Sequence, residues 1–407
     1  MANSSIIYDL CIIGAGMFGS AAAKHATASL KAKVCLIGPE EPTRDEWEQR
    51  MIFSSHYDEG RIVSGDPTNH NLNVLLEESV QKFHVLEEEY GKKLFNNTGC
   101  LYLYSCEDES ALKILSEINS GESQLLDISS KSLFSKEFPY MKFDSYKYAF
   151  FDTTSGHVSP REIIKAEKLV AEKNGCHIID DIVKDIKEVD HQLIEIITES
   201  QRLIRTNKLL ICAGAFTNFI PIFASRELNI TVNKETYILI RISKEEAGRL
   251  STMPTMDVFF ESCEEQPHLY GAYILPPIKY PDGKYYLKIG HKGSIVNSEL
   301  KNLKEIKNWY NCSGEKYISE HYSKIIQDLF PDLKFEEMLP KTCVTCSNPS
   351  ELPYIDNISP NIIVAAVGNG SGVMMCEEIG SIAAELSVES TWNSKLSKSL
   401  FRAIFRS

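Results

Sequence analysis

Two spacings of apolar residues divide this chain. Residues 8–13 and 34–37 are short, largely apolar runs, as expected of strands covered on both faces. Between them, small residues through Ala28 read as a helix. Leu72, Leu75, Leu76, Val80, Phe83 and Leu86 recur at three- and four-residue spacing, which predicts an amphipathic helix with a buried stripe. Residues 99–104 read as a strand and 107–121 as a polar surface helix ending in a turn. Another helix is expected over 161–174, closed by Gly175. Strands follow at 177–181 and 183–189, then a short hairpin through 193–198. Residues 209–215 read as a buried strand ending in a small-residue turn. From 230 to 291 the pattern is mostly β, clearest at 237–242, 269–275 and 285–289, and 303–330 reads as helical. Residues 361–367 are a last buried strand, and 376–388 a last helix.

The first strand runs directly into Gly14-Ala15-Gly16-Met17-Phe18-Gly19. Strand, glycine turn, helix and second strand form the βαβ unit that holds a dinucleotide. Gly14 makes the tight turn, Gly16 admits the pyrophosphate, and Gly19 lets helix and strand pack closely. The helix N-terminus offers free N–H groups and a positive dipole end. An acidic residue usually ends the second strand to bind ribose. Here Gly38 stands there, so Glu40, Glu41 or backbone groups must serve. A second glycine loop, Gly368-Asn369-Gly370-Ser371-Gly372, opens the last helix and suits cofactor atoms held against backbone N–H groups.

With 407 residues the chain has length for two domains and ample core. A net charge of −13 argues against nucleic-acid or anionic-membrane partners. The 11 scattered cysteines read as reduced thiols, not a disulfide framework. No run reaches the roughly 18 apolar residues of a membrane span. No signal peptide or peroxisomal ending is evident, so a cytoplasmic location is expected. No spacing suggests a metal site.

The order of these blocks resembles the monomeric sarcosine oxidase family. That family lies among the D-amino-acid-oxidase-like FAD-dependent oxidoreductases and includes pipecolate and fructosyl-amino-acid oxidases. The resemblance spans nearly the full length. It is carried by Gly14, Gly16 and Gly19, by Tyr57-Asp58-Glu59-Gly60, by Gly99-Cys100-Leu101, and by Tyr270-Gly271. Leu287-Lys288-Ile289-Gly290-His291, Cys343-Val344-Thr345-Cys346-Ser347-Asn348-Pro349, Tyr354-Ile355-Asp356, Gly368 and Gly380 complete it. It implies an α/β fold: a Rossmann-like FAD-binding domain from 1–90, 151–224 and 340–407, and a β-sheet-rich α+β substrate domain from 91–150 and 225–339. Both domains are discontinuous in sequence. It implies oxidation of a C–N bond in a small-molecule secondary or tertiary amine, or an N-substituted amino acid, to an imine, with O₂ reoxidising the flavin to give hydrogen peroxide. A flavin dehydrogenase with another acceptor and a non-catalytic flavin-binding or sensor protein are the alternatives.

The resemblance also assigns roles. Lys288 matches a lysine near the flavin that stabilises superoxide; on its own it also reads as a strand-edge lysine pointing to solvent. Cys343 matches a cysteine that tethers the flavin, with Cys346 a rival for that role; a free buried thiol and a redox pair with Cys346 are the other readings. Tyr270 matches a pocket tyrosine, or else packs in the core. His56 and Arg61 flank the Tyr57–Gly60 block and are expected near the flavin or pocket, and His291 is expected to influence Lys288. The implied cofactor contacts are Gly14, Ala15, Gly16, Met17, Phe18, Gly19, Glu40, Val183, Ala213, Gly214, Cys343, Gly368, Gly370, Ser371, Gly372, Val373 and Met374. Two positions depart from the pattern. The cations that grip a substrate carboxylate are replaced by Ser54 and Met374. Arg50 in a shifted alignment, or Arg61, would have to substitute for them. Sarcosine itself is therefore expected to be a poor substrate.

Overall fold

The computed structural model describes residues 6–66, 69–121, 124–190 and 192–406. The first five residues and Ser407, expected to belong to the nucleotide domain, lie outside the described residues. Five parallel strands form the centre of the first sheet, in the order His177–Ile179, Val34–Ile37, Ile7–Ile13, Leu203–Ile211, Ile362–Ala366. Val183–Glu188, Ile194–Thr198 and Tyr354–Ser359 add to it antiparallel. Alternation within the first strand explains why its apolar run is continuous. Leu10 and Ile12 join the core under the helices, whereas Cys11 and Ile13 join the core on the opposite face.

The helices Met17–Ala28, His70–Tyr90, Pro160–Lys173 and Cys376–Val388 cover one face. Small residues set the closest approach. Ala21, Ala22, Ala23 and Ala26 are fully buried, and a Cβ on Gly380 would collide with Ala21. The predicted stripe on His70–Tyr90 is observed: Leu75, Phe83 and Leu86 are its buried apolar positions.

The second sheet also has eight strands, from Phe335–Ser347 at one edge to Leu126–Asp127 at the other. Leu269–Lys279 and Tyr285–Gly293 form its central hairpin. Phe335–Ser347 runs through residue 340 and stays in this sheet to its end, so the chain returns to the first sheet only after Ser347. Its sequence hides a strand because it contains Pro340 and lacks alternation. Pro340 is tolerated because this is an edge strand.

The helical stretch expected over 303–330 is two helices, Leu303–Tyr310 and Lys316–Leu329. Gly314 breaks it, with φ +74° and no room for a Cβ against Thr236.

Candidate active site

Gly14 adopts φ +106°, and a Cβ there would strike the Cys212 carbonyl. A Cβ on Gly19 would strike the Gly14 carbonyl. The turn is therefore closed to any side chain at either position. No side chain caps the helix Met17–Ala28, so its N-terminus is left for another acceptor. The second glycine loop lies beside the first: a Cβ on Gly372 would sit 3.8 Å from Met17 Cε. Val373 and Met374 behind it are buried. Ala213 adjoins Gly14, Gly214 has φ +53°, and Val183 is half-buried at the start of its strand. The Glu40 carboxylate turns to Lys168 at 2.7 Å, and its N–H donates to Asp180.

Ser54 connects the glycine turn to the main cavity. Its Oγ stands 3.3 Å from where a Gly16 Cβ would be. It also lines a cavity of about 900 Å³, together with Asp58, Arg61, Tyr237, Tyr280 and Cys343. Trp47, Tyr57 and Tyr310 form an aromatic part of the wall. The Tyr57 and Tyr310 hydroxyls are buried without a partner, an arrangement that a bound group would satisfy.

Lys288 is 1% exposed, which removes the solvent-facing reading. Leu287 and Ile289 turn into the core of the second sheet, and Lys288 between them points the other way. Its Nζ donates to Asp58 Oδ2 at 2.5 Å and to the Gly60 carbonyl at 3.1 Å. It stands over the Tyr237 ring at 4.5 Å and the Tyr273 ring at 5.4 Å. Asp58, also 1% exposed, accepts Lys288 and Arg61 on Oδ2. On Oδ1 it accepts the Glu59 N–H at 2.8 Å and the Tyr280 hydroxyl at 2.7 Å. Burial raises the affinity of this carboxyl for a proton, but Lys288 and Arg61 outweigh it and hold the group well below the usual carboxylate range. Burial, then Arg61, pushes Lys288 down to about 8, against the pull of Asp58.

Cys343 faces this cluster, with Arg61 Nη2 4.0 Å from its sulfur. Burial pushes the thiol up, while Arg61 and Lys288 draw it back toward thiolate. Cys346 is three residues along the strand, on the opposite face, and is buried in a different core. Both are free, so the redox pair is not formed. Arg61 Nη1 donates to Asp58 and the Gly60 carbonyl, and its Nη2 donates to the Ser55 carbonyl.

Three expected residues do not join this cluster. His56 is buried and bonds Ser54 at 2.6 Å. It lines an adjoining recess with Glu40, Arg161 and Lys168, which shares Glu41 and Arg161 with the cavity. Burial, helped by Lys168 and Arg161, pushes it down to about 3, so it stays neutral. Tyr270 is 51% exposed, packs at Gly293, and does not line the cavity. It therefore fits neither the core reading nor the pocket reading at this cavity. His291 is held by Glu235 at 3.0 Å and the Thr236 N–H at 3.2 Å instead of meeting Lys288. Asp58 and Tyr280 are the important residues that the sequence did not assign. Tyr280 sits at the hairpin tip Tyr280-Pro281-Asp282-Gly283, recognisable as a turn but not as an arm reaching Asp58. Among the described residues, no group of three or more His, Cys, Asp or Glu side chains is placed to hold a metal ion. No helix among them is long and apolar enough to cross a membrane.

Comparison with known proteins agrees with this geometry. Residues 9–386 match the FAD dependent oxidoreductase family. The chain belongs to that family. It is 23% identical over 399 residues to peroxisomal sarcosine oxidase of Homo sapiens, covering 96% of this chain and 95% of the relative. It is 22% identical over 402 residues to monomeric sarcosine oxidase of Arthrobacter sp. (strain TE1826), covering 94% and 92%. The fold matches that of NikD, an unusual amino acid oxidase essential for nikkomycin biosynthesis, with TM-score 0.77 and 14% identity over 98% of each chain. The sarcosine-oxidase-like resemblance, the α/β fold and an FAD-dependent oxidoreductase are thereby established. The residues fit the cofactor: two glycine loops side by side, an uncapped helix start, and partnerless hydroxyls on the cavity wall.

Proposed function

We propose that this protein uses FAD to oxidise a C–N bond in a secondary or tertiary amine to an imine, and that O₂ then takes the electrons to give hydrogen peroxide. When bound, FAD supplies the two-electron acceptor chemistry. The chain's own residues do the rest. The Gly14–Gly19 turn and its helix receive the pyrophosphate, with Glu40 or Glu41 near the ribose and the Gly368–Gly372 loop on the ring side. Cys343 is the tether. Lys288 stabilises the charge that develops when O₂ accepts its first electron, and does so in a water-poor site where that effect is largest. The observation that carries this reading is the buried Lys288 ammonium in contact with the cavity wall that holds Cys343.

The wall also bears on the substrate. Ser54 bonds His56, Met374 is buried, and Arg50 donates to the Glu40 carbonyl. With Arg61 also occupied, the expected carboxylate grip has no replacement among these four residues. An unpaired buried carboxylate costs on the order of several kcal/mol. The Trp47, Tyr57 and Tyr310 wall instead favours a larger, less acidic amine, whose cation can rest on aromatic faces. Sarcosine is expected to be turned over about 100-fold or more less efficiently than such an amine. Steady-state peroxide assays test this, and sarcosine turnover at ordinary enzyme efficiency would refute it. Acid precipitation tests the tether: the pellet stays yellow in the native protein and turns colourless in Cys343→Ala.

A further inference from the structure

We infer that Asp58 is a positioning residue for the electron-acceptor step, keeping the Lys288 ammonium charged and aimed beside the cavity wall. The inference rests on the amine-oxidase reading and adds to it the residue that makes its cation available. Lys288 and Arg61 are two cations gathered on one carboxylate oxygen inside the protein. Arg61 cannot give up its proton. Were the carboxylate absent, Lys288 would be the group to do so, since burial and Arg61 both push it that way.

The other groups around Lys288 offer no substitute. Tyr237 and Tyr273 present ring faces, and Tyr280 donates its hydroxyl to Asp58. The Cys343 thiol is raised by burial. Glu235, on the strand that carries Tyr237, bonds Thr345 and His291, and burial pushes its carboxyl up. Asp58 alone contacts Lys288 as an anion, and its four donors fix it in that state. The triad keeps one net positive charge while Lys288 is protonated and none once it is not.

The balance of the step is simple. When bound and reduced, FAD would supply the two electrons and two protons that convert O₂ to H₂O₂, with superoxide the anion formed after the first electron. Lys288 keeps its own proton throughout and stabilises that anion.

The test is made on the FAD-loaded protein, reduced by light so that no amine substrate is needed. The O₂ reaction is followed by stopped flow from pH 6 to 9. In parallel, ¹³C NMR of labelled lysine ε-carbons reports the Lys288 titration, assigned by its loss in Lys288→Met. In the native protein, both midpoints are expected to coincide near pH 8. In Asp58→Asn the Lys288 midpoint falls by at least about one unit, a tenfold loss of proton affinity. For a one-unit fall its O₂ reaction slows about twofold at pH 7 and approaches tenfold by pH 9, and it recovers as the pH is lowered, which a purely structural defect would not do. An unchanged midpoint in Asp58→Asn overturns the assignment. If that variant does not fold, the native protein still decides: a Lys288 midpoint below pH 6, or an O₂ rate that ignores it, overturns the proposal. Failure of every amine to reduce the flavin would instead count against the function, and these two readouts do not depend on it.

Discussion

Asp58 at the cavity and Glu377 under the helices each gather buried charge, and the two clusters differ in what lies beside them. At the cavity, Asp58 collects four donors and every one of its acceptor positions is used. Under the helices, Glu377 holds Lys24 and, at 2.9 Å, His25, and the neighbouring Glu167 carboxyl hydrogen-bonds it. Burial, reinforced by the Glu377 charge, pushes the Glu167 carboxyl well up, so it sits neutral. None of these four residues lines the cavity. A fully satisfied cluster at a cavity wall is preorganised for charge that appears during a reaction. One packed between helices, away from this cavity, is a feature of packing. Burial of charge alone therefore does not distinguish the two clusters; the neighbouring cavity does.

The sharpest way to break this contrast is to remove one lysine from each cluster. Lys288→Met is expected to slow reoxidation of the reduced flavin by O₂ about 10²–10³-fold, the usual effect of losing a preorganised charge-stabilising group. Lys24→Met should leave that rate intact and instead lose roughly 3–5 kcal/mol of folding stability in denaturant titration, because Glu377 is left without its ammonium. If the two variants exchange these phenotypes, the distinction between the clusters is wrong.

A pH series sharpens the same point with a smaller effect. The Lys288 affinity for a proton lies near 8 in the folded protein, against about 10.4 in an unfolded chain. Between these values the unfolded chain binds the extra proton, so this group's contribution to stability rises with pH. The O₂ reaction should fall over the same window, approaching tenfold per pH unit above the midpoint. Rate and stability move in opposite directions as one proton leaves. A rate that rose with pH would contradict the role of the ammonium. The smallest effect is expected for Glu167→Gln. An amide replaces an already neutral carboxyl, and stability should stay within about 1 kcal/mol of native.

What the sequence disclosed was mainly local. The Gly14–Gly19 turn needs only neighbours a few residues away, so its glycines could be read in order, and the last helix was legible in full because its glycine loop and apolar face are contiguous. Lys288 and Cys343 were singled out only through the order of motif blocks, and the structure brings both to one cluster. Asp58 was within a recognised block but received no role, because its partners Lys288 and Tyr280 come from a distant hairpin. The surroundings of His56 were not legible for the same reason: they are set by Lys168 and Arg161 on a separate helix. Phe335–Ser347 escaped notice as a strand because an edge position relaxes the pattern that identifies one.

Anaerobic titration of the FAD-loaded protein with a panel of bulky secondary and tertiary amines tests the central claim most directly. The account predicts that at least one such amine bleaches the visible flavin band, and that admitting air restores the band with one peroxide formed per flavin. A protein that takes up no FAD, or whose flavin is bleached by none of these amines, would contradict it.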